Sequence, residues 1–336
     1  MSLPSPLADT RRAVLILGAN GRFGTAAAVA FAAAGWRVLA QVRRAPGDGL
    51  ACIAQHVSIA LDDTAALADA ARGASVIVHA VNPPYTRWDA EALPALRAGV
   101  DVAERLGAHF MLPGNVYNFG VDMPARLGED EPQRPTTPKG RIRVAMERAM
   151  AERAAGGRLT ASVVRAGDFF GSGTGNWFDR AIVKSLRAGK LVYPGPLDVA
   201  HAWAYLPDLA RAFVRVAEQP TQAEFTCWHF EGHTLTGGEL LAGIDAAAAE
   251  LGIAPAGRLR RGTLPWGVIG AVGLVVPMWR ELARMSYLWR TPHALDGRRL
   301  AALPGMPLVV TPLSSALRES LLALGLAPRG REPSAQ

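Results

Sequence analysis

Cysteine and metal-binding patterns are scarce in this sequence. Its 336 residues include only Cys52 and Cys227, too few for a disulfide framework or a thiolate metal site. His201, His229 and His233 have no partner at metal-ligand spacing, so no bound metal is expected. Such cysteine usage is typical of a reducing compartment and favours a cytoplasmic protein.

Long apolar runs and basic blocks are also missing. Residues 1–10 are polar, unlike a signal peptide. The apolar stretch 264–279 contains Pro277 and is shorter than the roughly 20 residues of a membrane span. We therefore expect a buried or pocket-lining helix there and no membrane partner. The net charge of +7 comes from arginines scattered among acidic residues, which argues against a nucleic-acid partner.

Half of the residues are apolar, which is enough for one large domain or a domain with a smaller lobe. Strand-like and helix-like segments alternate along 12–17, 23–34, 36–42, 64–72, 76–81, 108–112, 141–155 and 159–165. This alternation predicts the α/β class, with a doubly wound parallel sheet of the Rossmann type and helices on both faces.

The alternation ends near residue 167, where glycine-rich loops and separate helices begin. We expect a Rossmann domain at 1–166, to which a strand and helix within 198–230 return. A smaller, mostly helical C-terminal substrate lobe is predicted at 167–197 and 231–326, with a disordered tail at 327–336.

A glycine-rich turn, GANGRFG, occupies 18–24 between the first strand and the first helix. Gly18 permits a tight turn, Gly21 lets a pyrophosphate approach the backbone, and Gly24 allows close packing of helix on strand. The amides at the helix N-terminus attract phosphate. The turn predicts a dinucleotide site that also includes Asn20, Arg22 and Phe23; the alternative is a generic strand-to-helix turn.

The end of the second strand bears on which cofactor binds. An acidic residue there binds the ribose 2′-hydroxyl of NAD, whereas an arginine accommodates the 2′-phosphate of NADP. The chain has Gln41, Val42, Arg43 and Arg44, so NADP(H) is favoured, with NAD as the second choice and Arg22 as an extra phosphate partner. Alternatively, Arg43 and Arg44 are a solvated surface pair.

Further similarity lies in the strand that ends at Val81 and Asn82, in Val116 and Tyr117, and in the segments 135–147 and 165–171. With the glycine turn, these resemble the extended or atypical short-chain dehydrogenase/reductases of the NAD-dependent epimerase/dehydratase group. The resemblance implies a Rossmann core, a small-molecule substrate, and a C-terminal lobe that closes over the nicotinamide. The predicted cofactor site is then completed by Leu61, Val81, Asn82 and Lys139.

The resemblance fails at the residues that carry proton transfer. Ordinary members use a serine or threonine, a tyrosine, and a lysine four residues after the tyrosine. Here these positions hold Pro113, Lys139 and Arg143. The usual aspartate after the third strand is Ala60, and we interpret the nearby Asp63 as a helix cap.

Lys139 is the leading catalytic candidate. The spacing of Lys139, Arg143 and Glu147 is similar to that of isoflavone-reductase-like members, in which a lysine here is the acid or base. Residues four apart share a helix face. Only three of the 36 lysines and arginines are lysines, and a desolvated lysine beside a cation such as Arg143 can release a proton, whereas arginine cannot. The alternative is a solvated residue at a helix start.

Other polar residues are predicted near the cleft. Tyr117 is either a proton donor or a substrate-pocket residue, and Asn82 and Tyr85 contact the cofactor or substrate. Asn115 and Asn118 follow the fifth strand, and His79 is expected to be a hydrogen-bonded core residue. Aromatic residues of the lobe form either its core or an apolar pocket: Trp177, Phe178, Trp203, Trp266, Trp279, Tyr287 and Trp289.

Three functions remain open. The first is an NADPH-dependent reductase of an apolar carbonyl or enone, with Lys139 as proton donor. The second is a non-catalytic NADP(H) sensor, suggested by the changed catalytic residues. The third is an epimerase or dehydratase, which depends on the missing tyrosine. Segment 88–105 is a candidate homodimer surface.

Overall fold

A parallel sheet of seven strands forms the centre of the fold. The computed structural model of the chain describes residues 12–45, 48–219, 224–255 and 257–327. The strands of the described chain are β1 (Ala13–Leu17), β2 (Arg37–Gln41), β3 (Gln55–Val57), β4 (Ala74–His79), β5 (His109–Gly114), β6 (Arg126–Leu127), β7 (Thr160–Arg165), β8 (Asp168–Phe170), β9 (Lys190–Tyr193), β10 (Ala200–Tyr205), β11 (Phe225–His229), β12 (His233–Thr236), β13 (Arg260–Thr263) and β14 (Ala294–Leu295). The large sheet has the order β11-β7-β5-β4-β1-β2-β3, which confirms the predicted doubly wound topology.

Helices cover both faces of this sheet. The α-helices are α1 (Arg22–Ala33), α2 (Asp48–Ala51), α3 (Thr64–Ala70), α4 (Trp88–Leu106), α5 (Pro138–Ala155), α6 (Leu206–Ala217), α7 (Gly237–Glu250), α8 (Trp266–Val272), α9 (Pro277–Arg284), α10 (Arg298–Ala301) and α11 (Leu313–Ala323). Helices α1 and α6 pack on one face, where Phe23 meets Phe213 with ring centroids 4.8 Å apart. The other face packs against α3, α4 and α5.

Local sequence explains these elements. Every residue of β1 is buried, as expected for a central strand covered on both faces. Helix α3 begins after Asp63, whose carboxylate accepts a hydrogen bond from the amide of Ala66. The predicted helix cap at Asp63 is therefore confirmed.

Of the two strands described within the segment 198–230, only the second lies in the large sheet. Strand β10 pairs with β8 and β12 in a separate three-stranded sheet, and only the later β11 joins β7. A short buried strand does not reveal its partner, because apolar side chains fit either sheet. The domain limits remain a prediction, and of the predicted tail only residue 327 lies within the described chain.

The C-terminal lobe has its own aromatic core. Phe178, Trp203 and Trp289 are buried, whereas Trp177 and Trp266 are half-buried at its margin. The stretch 264–279 contains α8 and the start of α9, and most of its side chains are exposed, so it is not the buried helix expected. Gly270, Gly273 and Leu274 line a cavity beside α9, which agrees with the pocket-lining alternative. Hydropathy records an apolar side chain, but burial requires a facing surface. Within the described ranges, no helix has the length and apolar composition that a membrane crossing requires.

Candidate functional site

The glycine turn lies at the carboxyl end of β1 and has little room for side chains. Gly18 has a φ of 74°, and a Cβ on it would lie 3.1 Å from the backbone of Val81. A Cβ on Gly24 would lie 2.5 Å from the carbonyl oxygen of Gly18. Gly21 is exposed, so its backbone is open to a ligand. Each glycine therefore occupies a position that a larger residue would disturb or cover.

Helix α1 begins directly after this turn with unoccupied amides. Its N-cap, Gly21, makes no side-chain capping hydrogen bond, and the first helical turn contains no acidic residue. Backbone N–H groups and the positive end of the helix dipole therefore face the exposed side of the turn. This arrangement fits the pyrophosphate of a dinucleotide.

The end of β2 is tied to the same turn. The side-chain oxygen of Gln41 accepts a hydrogen bond from the Gly18 amide at 3.0 Å, and the Asn20 amide nitrogen donates to the Arg44 carbonyl at 3.1 Å. Arg43 and Arg44 are exposed beside it. Of the other predicted cofactor residues, Phe23 is buried, Leu61 and Val81 are half-buried and Asn82 is exposed.

Arg22 occupies a different environment from the one expected of a phosphate partner. Its guanidinium donates to the carbonyl oxygens of Gly171 at 2.6 Å and Ser172 at 3.4 Å. Burial lowers the pKa of Arg22 to about 10. Arg22 thus connects α1 to the loop after β8, a contact between distant segments that the spacing of residues does not reveal.

Lys139 lies in the first turn of α5, and its side chain is only 2% exposed. Its ammonium donates to the carbonyl oxygen of Tyr85 at 2.6 Å and forms an ion pair with Glu281 of α9 at 3.0 Å. The nitrogen also lies 4.0 Å from the Tyr85 ring centroid and 5.3 Å from that of Trp88. Lys139 is therefore not a solvated residue at a helix start, and its ammonium has an anionic partner, Glu281, that the sequence pattern did not reveal.

Arg143 lies one turn further along α5, near the same aromatic residues. It donates to the carbonyl oxygen of Pro113 at 3.1 Å, and its guanidinium carbon lies 4.8 Å from the Trp88 ring centroid. Burial lowers the pKa of Arg143, and the charges of the nearby Tyr117 and Glu147 partly offset this lowering. Arg143 therefore supplies a fixed positive charge at the carboxyl end of β5.

Tyr85 and Tyr117 face this group. Burial raises the pKa of Tyr85 well above its usual value, and the neighbouring Tyr117 adds to the effect. Burial raises the pKa of Tyr117, and the charge of Asp168 adds to this effect. Both phenols therefore stay protonated near neutral pH and are available as hydrogen-bond donors. Helix α5 approaches Tyr117 closely because Gly140 has no side chain; a Cβ there would lie 2.4 Å from the Tyr117 carbonyl oxygen.

Glu147, the third residue of the predicted helix face, belongs to a separate buried network. Its carboxylate accepts two hydrogen bonds from Arg165, at 2.7 and 3.2 Å, and one from Gln133 at 2.9 Å. Arg165 also donates to His229 at 3.3 Å, and burial together with Arg165 lowers the pKa of His229 to about 4. Helix periodicity places Glu147 two turns beyond Lys139 on the same face, but it does not show that Glu147 pairs with Arg165 of β7.

The remaining predicted polar residues are mostly bound to the framework. Asn115 accepts from the Tyr117 amide, and Asn118 donates to Gln133. His79 is buried as expected, but within the described chain neither ring nitrogen has a hydrogen-bond partner. Burial, assisted by the charge of Arg143, lowers the pKa of His79 to about 3. The expectation of a hydrogen-bonded histidine is therefore wrong.

Sequence reasoning gave no role in this region to Glu281 or Asp168, and it named Tyr287 only among the aromatic residues of the lobe. Glu281 pairs with Lys139, and Asp168 pairs with the buried His201 at 2.9 Å. The Tyr287 hydroxyl is buried without a hydrogen-bond partner in the described chain, and burial raises the pKa of Tyr287. Asp168 follows the strand that ends at Arg165, which is the one signal that would have identified it. Among the described residues, no cluster of three metal-ligating side chains occurs.

The glycine turn at the carboxyl end of β1 and the doubly wound parallel sheet define a Rossmann-type fold of the dinucleotide-binding kind. The model of the NAD dependent epimerase/dehydratase family matches residues 14–226. The chain belongs to this family, as the sequence resemblance predicted. A search of curated proteins by sequence finds no match.

Solved structures share the fold at low sequence identity. MoeE5 in complex with UDP-glucose and NAD is 19% identical, with a TM-score of 0.68 and coverage of 92% of this chain and 97% of its own. The Bordetella bronchiseptica enzyme WbmH in complex with NAD⁺ is 16% identical, with a TM-score of 0.70 and coverage of 93% and 97%. A partial consensus L-threonine 3-dehydrogenase is 18% identical, with a TM-score of 0.69 and coverage of 92% and 99%.

Proposed function

We propose that the chain is an NADP(H)-dependent oxidoreductase that reduces an apolar carbonyl or enone, with Lys139 as the proton donor. The observation that carries the proposal is the placement of Lys139. Its ammonium is buried between aromatic rings and held by Glu281 and the Tyr85 carbonyl. This group lies at the carboxyl edge of the sheet, where ligands bind in doubly wound folds.

The residues around Lys139 suit reduction of a carbonyl. When bound, the reduced nicotinamide supplies a hydride to the carbonyl carbon. The ammonium of Lys139 then gives a proton to the carbonyl oxygen, which becomes a hydroxyl, and the neutral amine regains a proton from solvent. Glu281 and the Tyr85 carbonyl orient the amine, while the protonated Tyr117 offers a hydrogen bond to the substrate oxygen.

A Lys139→Met variant tests this role, with Lys184→Met as control because Lys184 is exposed. NADPH oxidation is followed with a panel of apolar ketones and enones, and NADPH affinity is measured separately. We expect Lys139→Met to lose turnover by roughly 10²-fold or more, as for removal of a general acid, with NADPH affinity nearly unchanged. Unchanged turnover in Lys139→Met would remove the lysine from the mechanism.

Selectivity for NADP(H) rests on the exposed Arg43 and Arg44, together with the lack of an acidic residue at 41–44. We expect Arg43→Ala/Arg44→Ala to weaken NADPH binding by roughly tenfold or more, because charged hydrogen bonds to the 2′-phosphate contribute about 1.5–3 kcal/mol each, and to leave NADH binding unchanged. Isothermal titration with both cofactors measures this. Arg72→Ala is the control, since Arg72 is exposed just before β4, at the opposite edge. Tighter binding of NADH by the unmodified protein would overturn the preference.

One observation favours a second candidate, a non-catalytic NADP(H) sensor. Two hydrogen-bond partners, Glu281 and the Tyr85 carbonyl, already occupy the Lys139 ammonium. Consumption of NADPH with any panel member above the blank rejects the sensor.

UDP-glucose with NAD belongs in the same panel, because MoeE5 was solved with both. Conversion of UDP-glucose would favour the epimerase or dehydratase alternative.

A further inference from the structure

Helices α8 and α9 form a hairpin that is anchored at the start of α8 and within α9, and whose turn is exposed. Trp266, at the start of α8, donates to the Pro194 carbonyl at 2.6 Å, and Glu281 of α9 pairs with Lys139 at 3.0 Å. Gly273 permits the close turn between the helices, because a Cβ there would lie 2.9 Å from the amide nitrogen of Arg280. The hairpin therefore has a fixed attachment and a defined tip.

The tip consists of residues 274–279, and all its side chains are apolar. Leu274 is 81% exposed and Val275 is 79% exposed. The other exposed members are Val276, Pro277, Met278 and Trp279. A consecutive exposed apolar run of this length is unfavourable in water and marks a contact surface.

The stretch of chain that contains the tip carries charge of one sign. No Asp or Glu occurs between Glu250 and Glu281. Over the same stretch, the chain contains exposed arginines, at Arg258, Arg260, Arg261 and Arg280. Arg260 and Arg261 lie in β13, which leads into α8, and Arg280 follows the tip directly. The apolar tip is thus flanked by positive charge along the chain.

We propose that the α8–α9 hairpin docks the protein onto an anionic lipid surface. Leu274, Val275 and Trp279 would enter the boundary between headgroups and acyl chains, and the arginines would contact anionic headgroups. Tryptophan favours this boundary because its ring is amphipathic. The hairpin is too short to span a bilayer, so the docking is peripheral, which departs from the expectation of no membrane partner.

The charge pattern favours lipid over a second copy of the chain. A symmetric contact through the tip would bring the arginines of two copies together, and like charges disfavour such an interface. An anionic surface instead neutralises the arginines while it buries the apolar tip. An anionic lipid surface therefore accounts for both the apolar tip and the arginines.

Vesicle co-sedimentation of the full chain tests the proposal. The vesicles contain phosphatidylcholine alone or phosphatidylcholine with phosphatidylserine, at about 0.1 and 1 M salt, where the Debye length falls from about 10 to 3 Å. We expect binding to the anionic vesicles that weakens at high salt. Absence of binding to them, or equal binding to both vesicle types, would overturn the proposal.

Two sets of variants separate the tip from the charges. Leu274→Asp/Val275→Asp should abolish binding, whereas Met306→Asp/Val309→Asp should retain it, since Met306 and Val309 are also exposed, at 88% and 67%, but lie outside the hairpin. Arg260→Gln/Arg261→Gln should weaken binding by roughly tenfold or more. Circular dichroism confirms that each variant is folded.

Equal loss of binding in the tip variant and in the Met306 and Val309 control would overturn the proposal. Analytical ultracentrifugation tests the alternative that a second copy of the chain binds the tip. If the protein is a dimer that Leu274→Asp/Val275→Asp converts to a monomer, and it does not bind vesicles, the tip is a self-association surface. None of these measurements depends on turnover, so their outcome is separate from that of the proposed reductase function.

Discussion

Helix α5 contributes to two buried ion pairs with different surroundings. Glu147 binds Arg165 of β7 through both carboxylate oxygens and also accepts from Gln133, all within the Rossmann half. Lys139 binds Glu281 of α9 through one contact, at the edge of the C-terminal lobe. The first pair fastens α5 to the sheet. The second joins α5 to the lobe, so its loss leaves the sheet intact.

The comparison teaches that burial alone does not distinguish framework from candidate site. The side chains of Lys139 and Arg165 are both only 2% exposed. Arg165 is bound by the Glu147 carboxylate, the Glu129 carbonyl and His229, which offset the cost of burying its charge. Lys139 instead lies against the aromatic faces of Tyr85 and Trp88, beside tyrosines that stay protonated.

Breaking the framework pair should have the largest effect on stability. Arg165→Met leaves Glu147 buried without its guanidinium, and we expect the free energy of unfolding to fall by about 3–5 kcal/mol. Denaturant unfolding measures the change. Arg148→Met is the matched control, because the Arg148–Glu152 pair lies on the same helix but is exposed, and such pairs contribute about 0.3–0.5 kcal/mol. Similar losses in both variants would contradict the framework role.

His79 sharpens the comparison as a buried polar group without a hydrogen-bond partner in the described chain. Its pKa is about 3 in the folded protein and about 6.5 when unfolded. The unfolded state therefore binds one more proton between these values, and stability falls as pH drops below about 6.5. His79→Leu should reduce this dependence by about 1.4 kcal/mol per pH unit.

Unfolding free energies at pH 6 and 4.5, within the window set by the two pKa values of His79, measure this dependence. His56→Leu is the control, because His56 is exposed and meets water in both states. An unchanged slope in His79→Leu would contradict the buried, neutral state of this histidine.

Breaking the pair at the candidate site should cost less than breaking the framework pair. Glu281→Gln removes the carboxylate, which also accepts from the exposed Arg284 at 2.8 Å, but Lys139 keeps the Tyr85 carbonyl and the aromatic faces. We expect a loss of about 1.5–3 kcal/mol, the usual contribution of a hydrogen bond to a charged group. Thermal and denaturant unfolding measure this loss of unfolding free energy. Glu152→Gln is the control, because Glu152 belongs to an exposed pair. A loss as large as that of Arg165→Met would show that the two pairs are equivalent.

The sequence by itself determined the sheet class, the glycine turn and the cap at Asp63. These features depend on local requirements, such as a positive φ at Gly18 or the periodicity of a buried strand. Composition also made Lys139 conspicuous, since only three of the 36 lysines and arginines are lysines. Family membership followed from the same local motifs.

Only the tertiary structure decided which charges meet. Glu281 reaches Lys139, Arg22 binds the loop after β8, and Glu147 turns to Arg165. Partners far apart in the chain depend on how the lobe packs on the sheet, which no local pattern encodes. The same reason explains the apolar tip at 274–279: hydropathy identified its side chains, but only the fold showed that they are exposed, Leu274 and Val275 most of all.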